Sequence, residues 1–153
     1  MILAAKSNLK DAAHNWLYSD DLRYFVTLTF KDDINELKAR KELDLFCLRF
    51  NRLIFGRRSK RKIKIISILE FTADGNPHFH ILFNQINNLN DNQVKDYILE
   101  CWGKSFYIET KHLLGQSNSG WFHVIEKNTQ DEVLSYCLKK IKYDINNLAV
   151  KHL

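Results

Sequence analysis

The chain has 153 residues, which is long enough to bury a hydrophobic core, and its hydrophobic content of 45% excludes a disordered polypeptide. The net charge of +5 is compatible with a nucleic-acid partner but is not specific for one. No signal peptide and no apolar run of membrane-spanning length is evident, so we expect a cytoplasmic protein. The three widely spaced cysteines, Cys47, Cys101 and Cys137, form no CxxC pair and indicate reduced core thiols.

The N-terminal part of the chain predicts a helix followed by a strand. Residues 7–18 (SNLKDAAHNWLY) are compatible with a short helix that Ser7 caps. Residues 24–30 (YFVTLTF) alternate between two faces, as a strand with one face in the core does. The two faces are formed by Phe25, Thr27 and Thr29 and by Val26, Leu28 and Phe30.

A helical pattern follows from Asp33 to about Phe55, with Asp32 or Asp33 as the N-cap and Gly56 as its end. Hydrophobic residues along this stretch predict one inward face. The predicted inward residues are Leu37, Leu45, Leu48 and Phe55, with Ile34 and Leu53 nearby.

A basic run, RRSKRK, occupies residues 57–62 directly after this helix. A charge run is often only a solvated loop, and the residues alone leave that interpretation open. The alternative is a loop that binds phosphates, because Lys and Arg gain affinity for nucleic acid by releasing condensed counterions. Such contacts position a nucleic acid without reading its sequence. The candidate DNA-binding residues are Arg57, Arg58, Lys60, Arg61 and Lys62.

Residues 63–83 (IKIISILEFTADGNPHFHILF) predict two apolar strands joined by a tight turn. Strand side chains alternate, so His78 and His80 share one face, and a hairpin around Gly75 would place Glu70 close to opposite His80. A lone histidine on a strand is usually a surface or hydrogen-bonded residue. Burial of two imidazoles and a carboxylate is costly, however, and a divalent cation would pair with all three. Two His and one Glu also leave coordination positions open, as a catalytic metal site requires.

Two helices and two strands are predicted in the rest of the chain. Asn90 or Asp91 caps a helix that runs to Trp102, stops at Gly103 and turns Val94, Ile98, Cys101 and Trp102 inward. Residues 105–110 and 121–127 are predicted strands, and His123 on the second is interpreted as structural or surface-facing.

The last predicted helix starts with a capping box at Thr129 and Glu132 and runs to about Tyr143. A tyrosine beside an apolar stripe is most often a core-edge residue, so Tyr136 alone is weak evidence of catalysis. The stripe comprises Val133, Leu134, Cys137, Leu138 and Ile141, and its flank carries Tyr136, Lys139, Lys140 and Tyr143.

The predicted order of elements is β-α-β-β-α-β-β-α. Its first six elements match a ferredoxin-like, RRM-like arrangement, which predicts an α+β fold with an antiparallel sheet of about five strands and helices on one face. The first and third strands are central neighbours in that arrangement, so residues 24–30 would lie beside the strand of His78 and His80. Several unrelated families bind nucleic acids on the open face of such a sheet, which is an analogy of fold only.

Three motifs in this order resemble those of the HUH endonucleases. They are FVTLTF, the His-U-His of PHFHILF preceded by a strand with Glu (U is a bulky apolar residue), and the Tyr-x-x-Lys of YCLK. The chain looks most like the rolling-circle replication initiators of plasmids, phages and single-stranded DNA viruses. The resemblance spans residues 24–143. It implies one endonuclease domain over residues 1–153, with residues 1–20 as a helical extension.

The resemblance implies a metal site on the hairpin. His78 and His80 match the two histidine ligands of the family, and Glu70 matches the third, polar ligand, which varies among relatives. The implied cofactor is Mg²⁺ or Mn²⁺, and imidazole ligands favour Mn²⁺ in vitro.

The resemblance also implies that Tyr136 is the nucleophile and Lys139 its companion, with Lys140 within reach. Some phage relatives carry a second tyrosine where this chain has Lys140, so a single-tyrosine mechanism is expected. Only about one phenol in a thousand is ionised at neutral pH, and a lysine one helical turn away can stabilise the phenolate or the transition state. Attack on a phosphodiester would give a 5′-phosphotyrosine and a free 3′-hydroxyl, in a nearly energy-neutral exchange that can nick and rejoin DNA.

The expected substrate is single-stranded DNA or unpaired origin DNA, and a host helicase is a further candidate partner. The expected location is the bacterial or host-cell interior, or the nucleus of a eukaryotic host.

Other functions stay open. A single-tyrosine HUH transposase would use the same chemistry, although such transposases typically lack the lysine after the tyrosine. A non-catalytic nucleic-acid-binding module should expose aromatic residues on its central strands. Trp121, Tyr107 and Phe25 are candidate stacking residues, although a core position is favoured for each. A structural metal protein would need a fourth protein ligand, and none is evident in the sequence.

Overall fold

The computed structural model describes residues 22–103, 121–126, 131–133, 135–136 and 148–152, together with Asn15. Except for Asn15, the helix predicted over residues 7–18 lies outside the described residues. So do the strand predicted over residues 105–110 and the lysines Lys139 and Lys140. None of the helices in the described part of the chain is long and apolar enough to cross a membrane.

An antiparallel sheet forms the centre of the fold. Its strands are β1 (Leu22–Leu28), β2 (Lys64–Phe71), β3 (Pro77–Asn84), β4 (Phe122–Val124) and β5 (Leu148–His152). The five strands lie in the spatial order β4-β1-β3-β2-β5. The helices are α1 (Glu36–Phe55), between β1 and β2, and α2 (Asp91–Gly103), after β3. Residues 131–133 and 135–136 are also helical and are called the C-terminal helical segment below.

This topology confirms the predicted α+β, ferredoxin-like fold. β1 and β3 are central neighbours, and Thr27 pairs with His80 across them. The strand that pairs with the other side of β1 is β4, which lies within the predicted strand over residues 121–127. β5, which pairs with the outer side of β2, was not predicted, because the five residues LAVKH give too short an alternation to be diagnostic.

The main core lies between one face of the sheet and the two helices. Val26 and Ile81 are fully buried on this face, and the predicted inward face of α2 is confirmed. Both cysteines of the described residues, Cys47 and Cys101, are buried free thiols, as predicted. The α2 residues in this core are Val94, Ile98, Cys101 and Trp102.

The predicted inward face of α1 is wrong. The helix begins at Glu36 with Asn35 as its N-cap, and Leu37 is 81% exposed. The buried side chains follow the i, i+4, i+7, i+8, i+11 spacing of one helical face, and Phe46 stacks on Phe50 within it. Two phenylalanines bury more apolar area than the leucines, and this determines which face packs on the sheet. The buried residues of α1 are Ala39, Leu43, Phe46, Cys47, Phe50 and Asn51, whereas Leu48 and Leu53 are exposed.

Asn51 ties the end of α1 to the start of β2. Its side-chain amide donates to the backbone oxygen of Cys47 at 2.8 Å, and its side-chain oxygen accepts from the backbone N–H of Ile63 at 2.7 Å. Gly56 ends the helix with φ 89°, as predicted, in a conformation that favours glycine. The basic residues 57–62 therefore leave the fold between two fixed points.

Candidate metal site and tyrosine

The β2–β3 hairpin brings Glu70, His78 and His80 together on one face of the sheet. Its turn spans Thr72 to Asn76, and the backbone N–H of Thr72 donates to the backbone oxygen of Asn76 at 2.8 Å. This turn pairs Glu70 with His78, not with His80 as predicted, because the hairpin closes one residue before Gly75. The two-residue period keeps all three side chains on the same face.

The three side chains converge through the atoms that bind metals. Glu70 Oε2 lies 3.1 Å from His78 Nε2 and 2.8 Å from His80 Nε2. The candidate ligand atoms all lie within 4.8 Å of one another. The side chains of Glu70, His78 and His80 are only 14%, 17% and 10% exposed, so the polar groups are largely withdrawn from water. Two imidazole nitrogens and a carboxylate oxygen in this geometry fit a divalent cation.

Thr27 supports the site from β1, and the sequence pattern did not single it out as a site residue. Its hydroxyl lies 3.0 Å from His80 Nδ1, the ring nitrogen that faces away from Glu70. Metal-binding histidines commonly use the second ring nitrogen in such a contact, which fixes the orientation of the ring. The available signal was the alternation of FVTLTF, which places Thr27 on the same face as Phe25.

Tyr136 reaches this site from the C-terminal helical segment. Its hydroxyl donates to Glu70 Oε1 at 2.8 Å and lies 3.4 Å from His80 Nε2. Phe25 stacks on His80 and meets Tyr136 edge-on, with ring centroids 5.1 and 6.0 Å apart. Tyr136 is 38% exposed, so its hydroxyl belongs to the polar group while part of the side chain stays open to solvent.

The basic residues are placed elsewhere. Arg57, Arg58, Lys60, Arg61 and Lys62 are exposed and precede β2, whereas Glu70 lies near its other end. Six residues of strand from Lys64 to Glu70 span about 20 Å. The structure therefore does not bring the basic residues to the metal-ligand group.

The other candidate residues divide between core and surface. Trp121 is buried in the core and His123 is exposed, in agreement with the preferred interpretations. Phe25 is half-buried beside His80 instead of lying in the main core. Tyr107 lies outside the described residues.

A second polar cluster connects β1 to the start of α2. Arg23 forms an ion pair with Asp91 at 2.8 Å, and the Tyr24 hydroxyl donates to Asp91 at 2.8 Å. Burial raises the pKa of Tyr24, and its hydrogen bond to Asp91 raises it further. The hydrogen bond to Asp91 also raises the pKa of Arg23. Burial by itself would raise the pKa of Asp91, but hydrogen bonds from Arg23 and Tyr24 outweigh it and the pKa is lowered.

The fold and the site together define an α+β protein whose ferredoxin-like sheet carries a candidate metal-binding His₂Glu group beside an accessible tyrosine. The sequence model of the ORF2-type family of replication-associated proteins matches residues 23–145, which is well over half of the chain, and this protein belongs to that family. Membership indicates a role in replication and an interaction with DNA. No curated protein and no solved structure matches the chain.

Proposed function

We propose that the protein is a metal-dependent tyrosine endonuclease and strand transferase of the HUH type, which initiates rolling-circle replication on single-stranded or unpaired origin DNA. The observation that carries this proposal is the hydrogen bond from the Tyr136 hydroxyl to Glu70 within the His₂Glu group. Membership of a replication-associated family supports it independently. A protein that only bound nucleic acid would have no need of this combination of tyrosine, carboxylate and imidazoles.

Tyr136 is the nucleophile of the proposed reaction. Its oxygen bonds to phosphorus, the bond from phosphorus to the 3′-oxygen breaks, and the 3′-oxygen takes up a proton. The products are a 5′-phosphotyrosine and a free 3′-hydroxyl. One phosphodiester replaces another, so the reverse attack by a 3′-hydroxyl can rejoin or transfer the strand.

The neighbours of Tyr136 orient it for this attack. The Glu70 carboxylate accepts the hydroxyl proton in a hydrogen bond, and the edge-on contact with Phe25 limits the directions that the ring can take. Lys139 or Lys140, one turn along the predicted helix, is proposed to stabilise the phenolate or the charge on phosphate. Lys140 in place of a second tyrosine favours a single-tyrosine mechanism.

Glu70, His78 and His80 are the proposed ligands of Mg²⁺ or Mn²⁺. The donor set suits either ion, and imidazole ligands favour Mn²⁺ in vitro. A divalent cation there would polarise the scissile phosphate and neutralise charge that develops on its oxygens. Thr27 would hold His80 in the orientation that such an ion needs.

The basic residues 57–62 are proposed to bind DNA phosphates at a distance from the reaction. Five of these six residues are cationic, and each of the five is exposed. Their separation of about 20 Å from Glu70 along β2 suits contacts that position a strand, not contacts with the scissile phosphate. Binding through them should weaken steeply as the salt concentration rises.

A covalent-adduct assay tests this function. Wild-type protein and Tyr136→Phe are incubated with a pool of labelled single-stranded oligonucleotides, with Mn²⁺ or with EDTA, and run on a denaturing gel. We expect a metal-dependent protein–DNA adduct in the wild type and none in the variant. Tyr97→Phe, which removes a hydroxyl from α2, is the matched control.

The remaining outcomes separate the alternatives. An adduct that persists in Tyr136→Phe would contradict the assignment of the nucleophile. DNA binding without any adduct across a fully randomised pool would favour the non-catalytic module. Adducts that form only on the ends of a mobile element, with a dimeric protein, would favour the transposase.

A further inference from the structure

A groove of about 330 Å³ opens at the end of β2 that is remote from Glu70. It lies between the end of α1, the basic residues 57–62 and the loop after β3, and its volume falls in the range of small-ligand sites. Hydrophobic side chains form its floor, including the buried Ile63 and Ile86. The lining residues that bear on recognition are Phe55, Arg61, Lys64, Asn84, Gln85 and Asn87.

The rim of this groove is cationic and its wall is rich in amides. Arg61 and Lys64 are exposed cations, and none of the lining residues is acidic. Three further side chains, Asn84, Gln85 and Asn87, offer amide donors and acceptors. Cations next to amides match a ligand that presents an anionic phosphate and a base with hydrogen-bonding edges.

Asn84 supplies a second and independent indication of a ligand. Its side-chain oxygen is buried without a hydrogen-bond partner in the structure. A buried acceptor that stays unpaired costs free energy, and such groups are rare in native proteins. The amino or imino N–H of a nucleobase in the groove would satisfy this oxygen. The aromatic ring of Phe55, already capped by the Arg61 guanidinium at 4.6 Å, adds an apolar surface for the base.

We propose that this groove binds one nucleotide of the substrate strand away from the cleavage position and reads its base. The proposal rests on the function proposed above, and it adds a site of sequence recognition to the phosphate contacts of residues 57–62. Arg61 belongs to both surfaces, so a strand held by the basic residues passes the mouth of the groove. That continuity favours a nucleotide within a strand over a free nucleotide.

The separation of the two sites determines the length of DNA that the test requires. About 20 Å along β2 corresponds to about six nucleotides of stacked strand at about 3.4 Å each. An oligonucleotide of four nucleotides around the nick reaches only the tyrosine, whereas a 25-mer reaches both sites.

The test compares Asn84→Leu with the wild type. Wild-type protein first selects preferred sequences from randomised single-stranded 25-mers. Asn84→Leu keeps the side-chain size and removes the unpaired acceptor, so the fold should persist, as a thermal melt will show. We expect about tenfold weaker binding of the selected 25-mer and loss of preference at one position several nucleotides from the nick. Asn87→Ala, in the exposed loop, should weaken the same preference, and Lys41→Gln on the exposed side of α1 should not.

Three outcomes would overturn the proposal. They are unchanged affinity and preference in both Asn84→Leu and Asn87→Ala, an equal effect of Lys41→Gln, and free deoxynucleoside monophosphates that bind as tightly as the selected 25-mer. The adduct assay on the four-nucleotide substrate is read separately. Adduct without a groove effect contradicts only this inference, whereas a groove effect without any adduct contradicts only the proposed nuclease.

Discussion

The Tyr136 hydroxyl lies 2.8 Å from Glu70 Oε1, although 66 positions separate the two residues in the chain. The contact joins the C-terminal helical segment to β2, on the face of the sheet opposite the main core. Because the hairpin already holds His78 and His80 next to Glu70, one contact places a tyrosine beside three candidate metal ligands. Substitutions in this group, and in the fold that supports it, should therefore have distinct effects on metal affinity and on stability.

Substitution of His80 by Ala should abolish most of the metal affinity. His80 is one of only three candidate ligands in the group, and its loss leaves an incomplete set. We expect Mn²⁺ to bind more than about 100-fold more weakly by isothermal titration calorimetry. His123→Ala removes an exposed histidine of β4 and is the matched control. Equal losses in the two variants would exclude His80 as a ligand.

Thr27→Val should lower the metal affinity by a smaller factor. Valine has nearly the shape of threonine but cannot hydrogen-bond to His80 Nδ1, so the imidazole loses the contact that orients it. We expect a loss of about tenfold in Mn²⁺ affinity, with no more than a small change in the free energy of unfolding. Thr27→Ser keeps the hydroxyl and should restore the affinity. If serine fails to do so, the side-chain methyl and not the hydrogen bond is what matters.

The sequence predicted much of this site because strand periodicity alone places His78, His80 and Glu70 on one face. It could not predict the register, since one residue in the turn decides whether Glu70 faces His78 or His80. The position of Tyr136 followed only from the resemblance, because no local pattern connects residues that lie 66 positions apart. Long-range packing is also why Thr27 was missed.

The same limit applies to the fold. The alternation of β1 and the apolar strands of the hairpin predicted the centre of the sheet, which is buried and strongly patterned. The face of α1 was wrong because leucines occur all around that helix, and only packing on the sheet selects Phe46 and Phe50. β5 is short and at an edge, where pairing depends on β2 rather than on its own pattern.

Alanine substitutions in α1 should distinguish the two faces. Phe46 is fully buried against Phe50 and Trp102, whereas Leu37 is 81% exposed. We expect Phe46→Ala to lower the free energy of unfolding by about 3–5 kcal/mol and Leu37→Ala to change it by less than about 0.5 kcal/mol. Urea denaturation of both variants provides the measurement. A larger loss for Leu37→Ala would support the face predicted from the sequence.

Asp91→Asn should make stability less dependent on acid pH. Because the pKa of Asp91 is lowered in the folded protein, its carboxylate stabilises the fold above the pKa of the unfolded state, about 3.9. That contribution is lost as the pH falls through the lower, folded-state pKa. An asparagine at this position would still accept a hydrogen bond from Tyr24 but would lose the charge that pairs with Arg23.

The side chain of Asp91 is 40% exposed, so solvent screens the pair, and the expected loss in Asp91→Asn at pH 7 is about 1 kcal/mol. Urea denaturation between pH 7 and pH 2.5 should show that the difference from wild type shrinks below about pH 4. Asp96→Asn, at an exposed position of α2, is the matched control. A difference that stays constant or grows in acid would show that the Asp91 charge does not stabilise the junction of β1 and α2.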